Sequence, residues 1–276
     1  MTNNYPYPVS QLLALGRPDD EWDDYSVLGI TLGDVPELIR LLGDIDLRFG
    51  PAPEGLSGEE FLPEWSAQIH AWRALAQLKA VEAIPAILGI FEQIDTQDDE
   101  WLQSEAEDVF ALIGPDSVEP LGEYLLDDSN LMYARGAAAT CLRKLAQEYP
   151  ETRAACVRYI ASALENYENQ DEGLNAFLIV ELVELRDTEH LGLMEKAFDD
   201  ECVDEFVMGD FEDVQVALGL LEERAQPRKR KFPSFSIPQM DGERFVPAPK
   251  KPNIEAREKK KRKQEKKSRK KNRKKK

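Results

Sequence analysis

The stretch Gly33-Asp34-Val35-Pro36-Glu37-Leu38-Ile39-Arg40-Leu41-Leu42 decides the reading of the fold, because its pattern returns twice farther along the chain. A turn pair, a proline in what would be the first helical turn, and apolar residues three and four apart describe the start of an amphipathic helix. Proline is tolerated there because the first N–H groups of a helix have no intrahelical acceptor. Asp34 reads as a capping carboxylate, with Glu37 three residues after it. Val81-Glu82-Ala83-Ile84-Pro85-Ala86-Ile87-Leu88 repeats the proline and the apolar spacing, and Gly114-Pro115-Asp116-Ser117-Val118-Glu119-Pro120-Leu121 repeats them again.

Outward from these units the period of three and four continues and no sustained alternation of period two occurs, which predicts a helical body. Trp65, Ile69, Trp72, Leu75 and Leu78 form one helical stripe, and Ile84, Ile87, Leu88, Phe91 and Ile94 the next, after a break near Lys79 and Ala80. Later pairs centre on Val109 with Leu121, on Leu142 with Ile160, and on Leu182 with Met194. Turns at Gly33, Ala80, Gly114, Tyr149 and Asp187 lie 47, 34, 35 and 38 residues apart. Stacked helix pairs keep such a quasi-period, and a single globular core has no reason to. The long first interval holds a Gly- and Pro-rich run from Arg48 to Pro63, which reads as an inserted loop.

The three quoted units resemble the HEAT-like repeats named after phycobilisome lyases, over roughly residues 22–221. The resemblance implies an all-α fold, a right-handed α-solenoid of about five helix pairs. It also implies one alternative activity, a bilin-lyase-like or other enzyme with a pocket between repeats. The matching residues are packing and capping residues, so the resemblance brings no catalytic side chain with it.

Charge divides the chain more sharply than its average shows. The full sequence of 276 residues holds 35 Lys/Arg against 53 Asp/Glu, a formal net charge of −18. Cut after Gln226, residues 227–276 carry 22 basic and 5 acidic residues, net +17, and residues 1–226 carry 13 basic and 48 acidic, net −35. This predicts an N-terminal extension over 1–21, the helical repeats over 22–226, a Pro-rich linker over 227–254 and a disordered polybasic tail over 255–276. Residues 255–276 hold 15 Lys/Arg and 3 Glu with no apolar residue beyond Ala256. A dense cation array releases counterions from phosphate polymers without any folded recognition surface. The candidate anion-binding residues are therefore Arg228, Lys229, Arg230, Lys231, Lys259, Lys260, Lys261, Arg262, Lys263, Lys266, Lys267, Arg269, Lys270, Lys271, Arg273, Lys274, Lys275 and Lys276. After Phe245 no aromatic residue is interleaved to stack on bases, so contact is expected with phosphate.

A search for catalytic chemistry gives no site, and no catalytic, metal-ligating or cofactor-binding residue is predicted. His70 and His190 lie 120 residues apart, away from any two-ligand spacing. Cys141, Cys156 and Cys202 fit neither a disulfide framework nor a metal knuckle, and read as reduced and mostly buried. Acidic runs at 19–24, 98–100, 199–201 and 210–213 lack the calcium-loop pattern and read as helix starts or solvated turns.

With no apolar run long enough to span a bilayer and no secretory leader pattern, a cytoplasmic protein is expected, or a nuclear one if the organism has a nucleus. The expected function is a non-enzymatic scaffold or adaptor. Protein partners, basic segments among them, would bind the repeats; RNA, DNA or the ribosome would bind the tail, and no membrane is involved. A third reading is a self-neutralising structural protein whose tail docks on its own acidic body.

Overall fold

The computed structural model describes residues 4–50 and 62–225. The inserted loop falls largely, and the Pro-rich linker and polybasic tail entirely, outside the described residues, so those expectations are neither met nor broken by it. Residues 1–227 group as one compact unit.

Every regular element among the described residues is helical: α1 (Val35–Leu42), α2 (Ile45–Phe49), α3 (Ala67–Gln77), α4 (Ile84–Gly89), α5 (Glu92–Thr96), α6 (Glu100–Ile113), α7 (Val118–Leu126), α8 (Met132–Glu148), α9 (Arg153–Leu164), α10 (Glu172–Glu184), α11 (Leu191–Asp199), α12 (Glu205–Met208) and α13 (Phe211–Ala217), with short 3-10 turns between them. The packing follows chain order. α3 lies on α6, α6 on α8 and α8 on α10, while α1 touches α4, α4 touches α7 and α7 packs on α9. Cross-contacts of α1 with α3, α7 with α8 and α9 with α10 join the two files. One apolar core runs between them, from Val9 and Leu12 through Trp72, Phe91, Phe110 and Leu142 to Met194 and Val214.

Local chemistry places the turns. A 3-10 turn precedes each of α1, α4, α7 and α9, at Leu32–Asp34, Val81–Ala83, Pro115–Ser117 and Pro150–Thr152. Pro36 and Pro85 occupy the first turns of α1 and α4, where no hydrogen bond is lost. The capping at the first unit differs from the sequence expectation. Asp34 reaches back, accepting from the Thr31 backbone N–H at 2.8 Å and from its hydroxyl at 2.9 Å, and Glu37 pairs with Arg40 instead. The 3-10 turn shifts the box three residues toward the N-terminus, because its tighter winding brings residue i+3 over residue i.

α3 and α10 end alike. Lys79 and Arg186 take positive φ of 52° and 53°, and the following residues, Ala80 and Asp187, donate to carbonyls five residues back at 3.1 and 2.9 Å. This is the Schellman ending, held here by non-glycine residues. The second predicted helix of the α3 pair breaks at Ile90, giving α4 and α5 in place of one continuous helix. A close approach of α7 and α9 needs Gly122: a Cβ there would stand 2.4 Å from the Tyr159 ring.

Candidate functional site

Thirteen Lys/Arg serve the whole of residues 1–226, and most are committed inside the fold. Arg48 pairs with Asp99 at 2.6 Å, Arg73 with Glu105, and Lys144 with Asp108 at 3.3 Å. Arg143 on α8 joins Glu107 on α6 to Glu181 on α10, the latter at 2.7 Å, so one guanidinium ties three consecutive helices. Thr140 adds a hydrogen bond of 2.7 Å to the same Glu181. Burial holds the Glu181 carboxyl above the ordinary range, against the pull of Thr140 and Arg143.

The N-terminal segment is laid along α3 by main-chain recognition. His70, Arg73 and Gln77 stand three and four residues apart on one helical face. His70 Nε2 meets the Gly16 carbonyl at 3.0 Å, Arg73 donates to the Asp19 carbonyl at 2.9 Å, and Gln77 donates to the Asp23 carbonyl at 2.7 Å. Tyr25 then closes on the His70 Nδ1 at 2.8 Å, and its backbone N–H donates to Gln77. Arg73 sits between the Trp22 and Trp101 rings, at 5.1 and 5.9 Å, while Trp72 and Arg73 both donate to the buried Glu105 carboxylate. The acidic run at 19–24 is thus held through its backbone carbonyls, with its carboxylates outward.

Burial pushes the His70 imidazole below its ordinary range. Above about pH 6.5 both folded and unfolded chains carry it neutral; below that the unfolded chain takes a proton that the folded chain resists, so stability falls as pH falls. The expected loss is up to about 1.4 kcal/mol per pH unit from this group. Asp99 and Glu181, raised by burial, act with the opposite sign. Urea midpoints from about pH 7.5 to 5.5 for wild type and His70→Gln isolate the histidine, and the variant should show the shallower acid slope.

Among the described residues, two concavities bear on the chemistry. The first, about 450 Å³, is walled by Arg48, Phe49, Trp65, Ile69 and Trp101 beside Arg17. Its Arg48–Asp99 pair is one-armed, with Arg48 Nη1 and Asp99 Oδ2 buried and unbonded. The second, about 620 Å³, lies between α9 and the turn that joins α10 to α11. His190 lines it, its Nδ1 held at 2.8 Å by the buried Asp187 carboxylate.

The other sequence candidates are placed as follows. Cys141 and Cys156 are buried free thiols whose pKa burial drives upward, and Cys202 is half-buried. Asp99 caps α6, and Asp210, Glu212 and Asp213 gather around Arg224. The Arg224 hydrogen bond brings the Asp210 carboxyl down to about 2. Among the described residues no group of three or more His, Cys, Asp or Glu is arranged to hold a metal, and no helix is long and apolar enough to cross a membrane. All eighteen tail candidates, Arg228–Lys231 and those from Lys259 to Lys276, lie outside the described residues. The concavities were missed in the sequence, although one signal was visible: all four tryptophans fall between positions 22 and 101.

Residues 56–238 match the family model described as a protein of unknown function, DUF1186. The chain belongs to the DUF1186 family. The matched span takes in every helix from α3 to α13, and it stops at Pro238, before the Lys-rich run of 255–276. α1, α2 and the segment laid along α3 precede the DUF1186 match. No curated protein and no solved structure matches the chain.

Proposed function

We propose that this DUF1186 protein is a non-enzymatic scaffold: a right-handed α-solenoid of HEAT-like helix pairs whose acidic surface takes basic protein segments, followed by a polybasic tail that takes RNA, DNA or the ribosome. One observation carries the reading of the body. Arg48, Arg73, Arg143 and Arg224 are spent on carboxylates at least partly buried in the fold, while Asp19, Asp20, Asp98, Glu119, Asp128 and Glu195 remain exposed. A surface so arranged has a negative field that its own cations do not cancel, which steers and holds cationic partners. The file-on-file packing of successive helices supports the solenoid reading, since each pair meets chiefly its neighbours.

The test is fluorescence anisotropy of an arginine-rich peptide against the 1–226 chain. Binding is expected at low salt and should weaken steeply as ionic strength shortens the Debye length from about 30 Å toward 8 Å. A peptide that stays free at low salt would remove the acidic surface from the proposal.

A further inference from the structure

We propose that the groove between α9 and the α10–α11 turn is a binding site for a small phosphate monoester. Three of the thirteen cations of residues 1–226, Arg153, Arg158 and Arg186, line this groove. They differ from the arginines that pair with carboxylates, and share with Arg135 a set of neutral hydrogen-bond partners. Where Arg48, Arg73, Arg143 and Arg224 lie against carboxylates, these three have neutral partners only. Arg153 donates to the Leu185 carbonyl at 2.5 Å, Arg186 donates to the Ala217 carbonyl, and the Arg158 guanidinium lies 5.4 Å from the centre of the Tyr159 ring. In a segment with 48 acids, three guanidinium groups without an ion pair among the described residues gather on one groove.

His190 adds a ring nitrogen to the lining. Asp187 is 5% exposed, and its Oδ2 accepts both from the His190 backbone N–H at 3.2 Å and at the ring Nδ1 at 2.8 Å. With Nδ1–H given to Asp187, Nε2 is left to a ligand as an acceptor in the neutral ring and as a donor in the imidazolium. The groove is also where α9, of twelve residues, and α11, of nine, begin, and helix starts add N–H donors and a positive dipole end.

The chemistry selects the ligand. Guanidinium groups repel a metal ion and fit oxygen anions through paired N–H donors. A carboxylate offers two oxygens and one charge, and one Arg fork satisfies it. A phosphate monoester offers three terminal oxygens and close to two charges, which several guanidiniums and an imidazolium meet together. Glu151, Glu165 and Glu189 stand on the same lining, with Asp187 beneath His190 as a fourth acid. They disfavour a long polyanion, and they suit amino or hydroxyl groups on the ester's other end. The volume of about 620 Å³ suits a small molecule of this kind.

The chain has two histidines, and residues 227–276 have none, so histidine resonances read the groove without interference from the tail. The experiment titrates the intact chain, labelled with nitrogen-15 at histidine, with phosphoethanolamine; inorganic phosphate and ethanolamine form separate arms, and His70→Gln assigns the signals. Phosphoethanolamine should shift the His190 signals saturably and leave His70 in place. Inorganic phosphate should do so more weakly, and ethanolamine not at all. Arg158→Ala removes an exposed side chain with no hydrogen bond to the fold, and should weaken the ester at least about tenfold, the loss expected for a charge-assisted contact. Arg158→Gln, measured beside it, separates loss of charge from loss of bulk. Lys260→Ala with Lys261→Ala should change nothing. His190 signals that stay fixed at tens of millimolar ester, or shifts equal in wild type, Arg158→Ala and Arg158→Gln, would overturn the site.

Discussion

Glu105→Ala should lower the stability of the body by about 3–5 kcal/mol, the cost of leaving a buried charge without its partner. Glu105 is 8% exposed and Arg73 is 1% exposed, so water cannot replace what the substitution removes. Three donors lose their acceptor together: Trp72 Nε1, Arg73 Nε and the Arg73 terminal nitrogen. A domain has roughly 5–15 kcal/mol in total, so the urea midpoint should fall by a large fraction of its wild-type value. Glu105→Gln keeps an acceptor and removes the charge, and should fall between the two. Replacing both partners, Arg73→Met with Glu105→Leu, should recover much of the loss, since an apolar pair of similar volume carries no desolvation cost. That double variant should still expose residues 16–24 to protease, because Arg73 also holds the Asp19 carbonyl and stands between Trp22 and Trp101. A Glu105→Ala midpoint within about 1 kcal/mol of wild type would show that water reaches this pair and that α3 and α6 are joined by apolar contact alone.

The helices were legible in the sequence because their causes are local. Apolar spacing of three and four, Pro36, Pro85 and Gly114 report on residues within a few positions of themselves. The breaks at Lys79 and Arg186 were placed correctly without a glycine to mark them, since the apolar stripes on either side stop there. The course of residues 16–25 was not legible. Its partners on α3 bond to backbone carbonyls 54 residues away, and every residue type supplies the same carbonyl. The α9 groove was hidden for a related reason. Arg153, Arg158 and Arg186 are brought together by a turn, and no spacing in the chain records that. A partial trace was present: Arg153 and Arg158 have no acid three or four residues away on α9, in a segment where acids outnumber bases by 48 to 13.

The second large effect belongs to the tail. Removing residues 227–276 should lower affinity for single-stranded RNA by at least about a hundredfold at low salt, because 22 basic residues leave and a chain of net −35 remains. With about 6–10 phosphates neutralised, affinity of the intact chain should fall by about 10³ to 10⁵ between roughly 50 and 200 mM salt. The proposed contact is with phosphate alone, and on it RNAs of unrelated sequence should bind about equally. Substitution within the Lys259–Lys263 run should reduce the salt slope by a fraction of a unit for each charge removed.

The proposed separation of an anion-binding tail from a cation-binding helical body is tested most directly by one paired titration. Labelled RNA and a labelled arginine-rich peptide are each titrated with the intact chain and with residues 1–226, across a salt series. The expected result is a crossover: the truncation loses RNA and keeps the peptide. Equal RNA affinity for the two chains, with the same salt slope, would contradict the account.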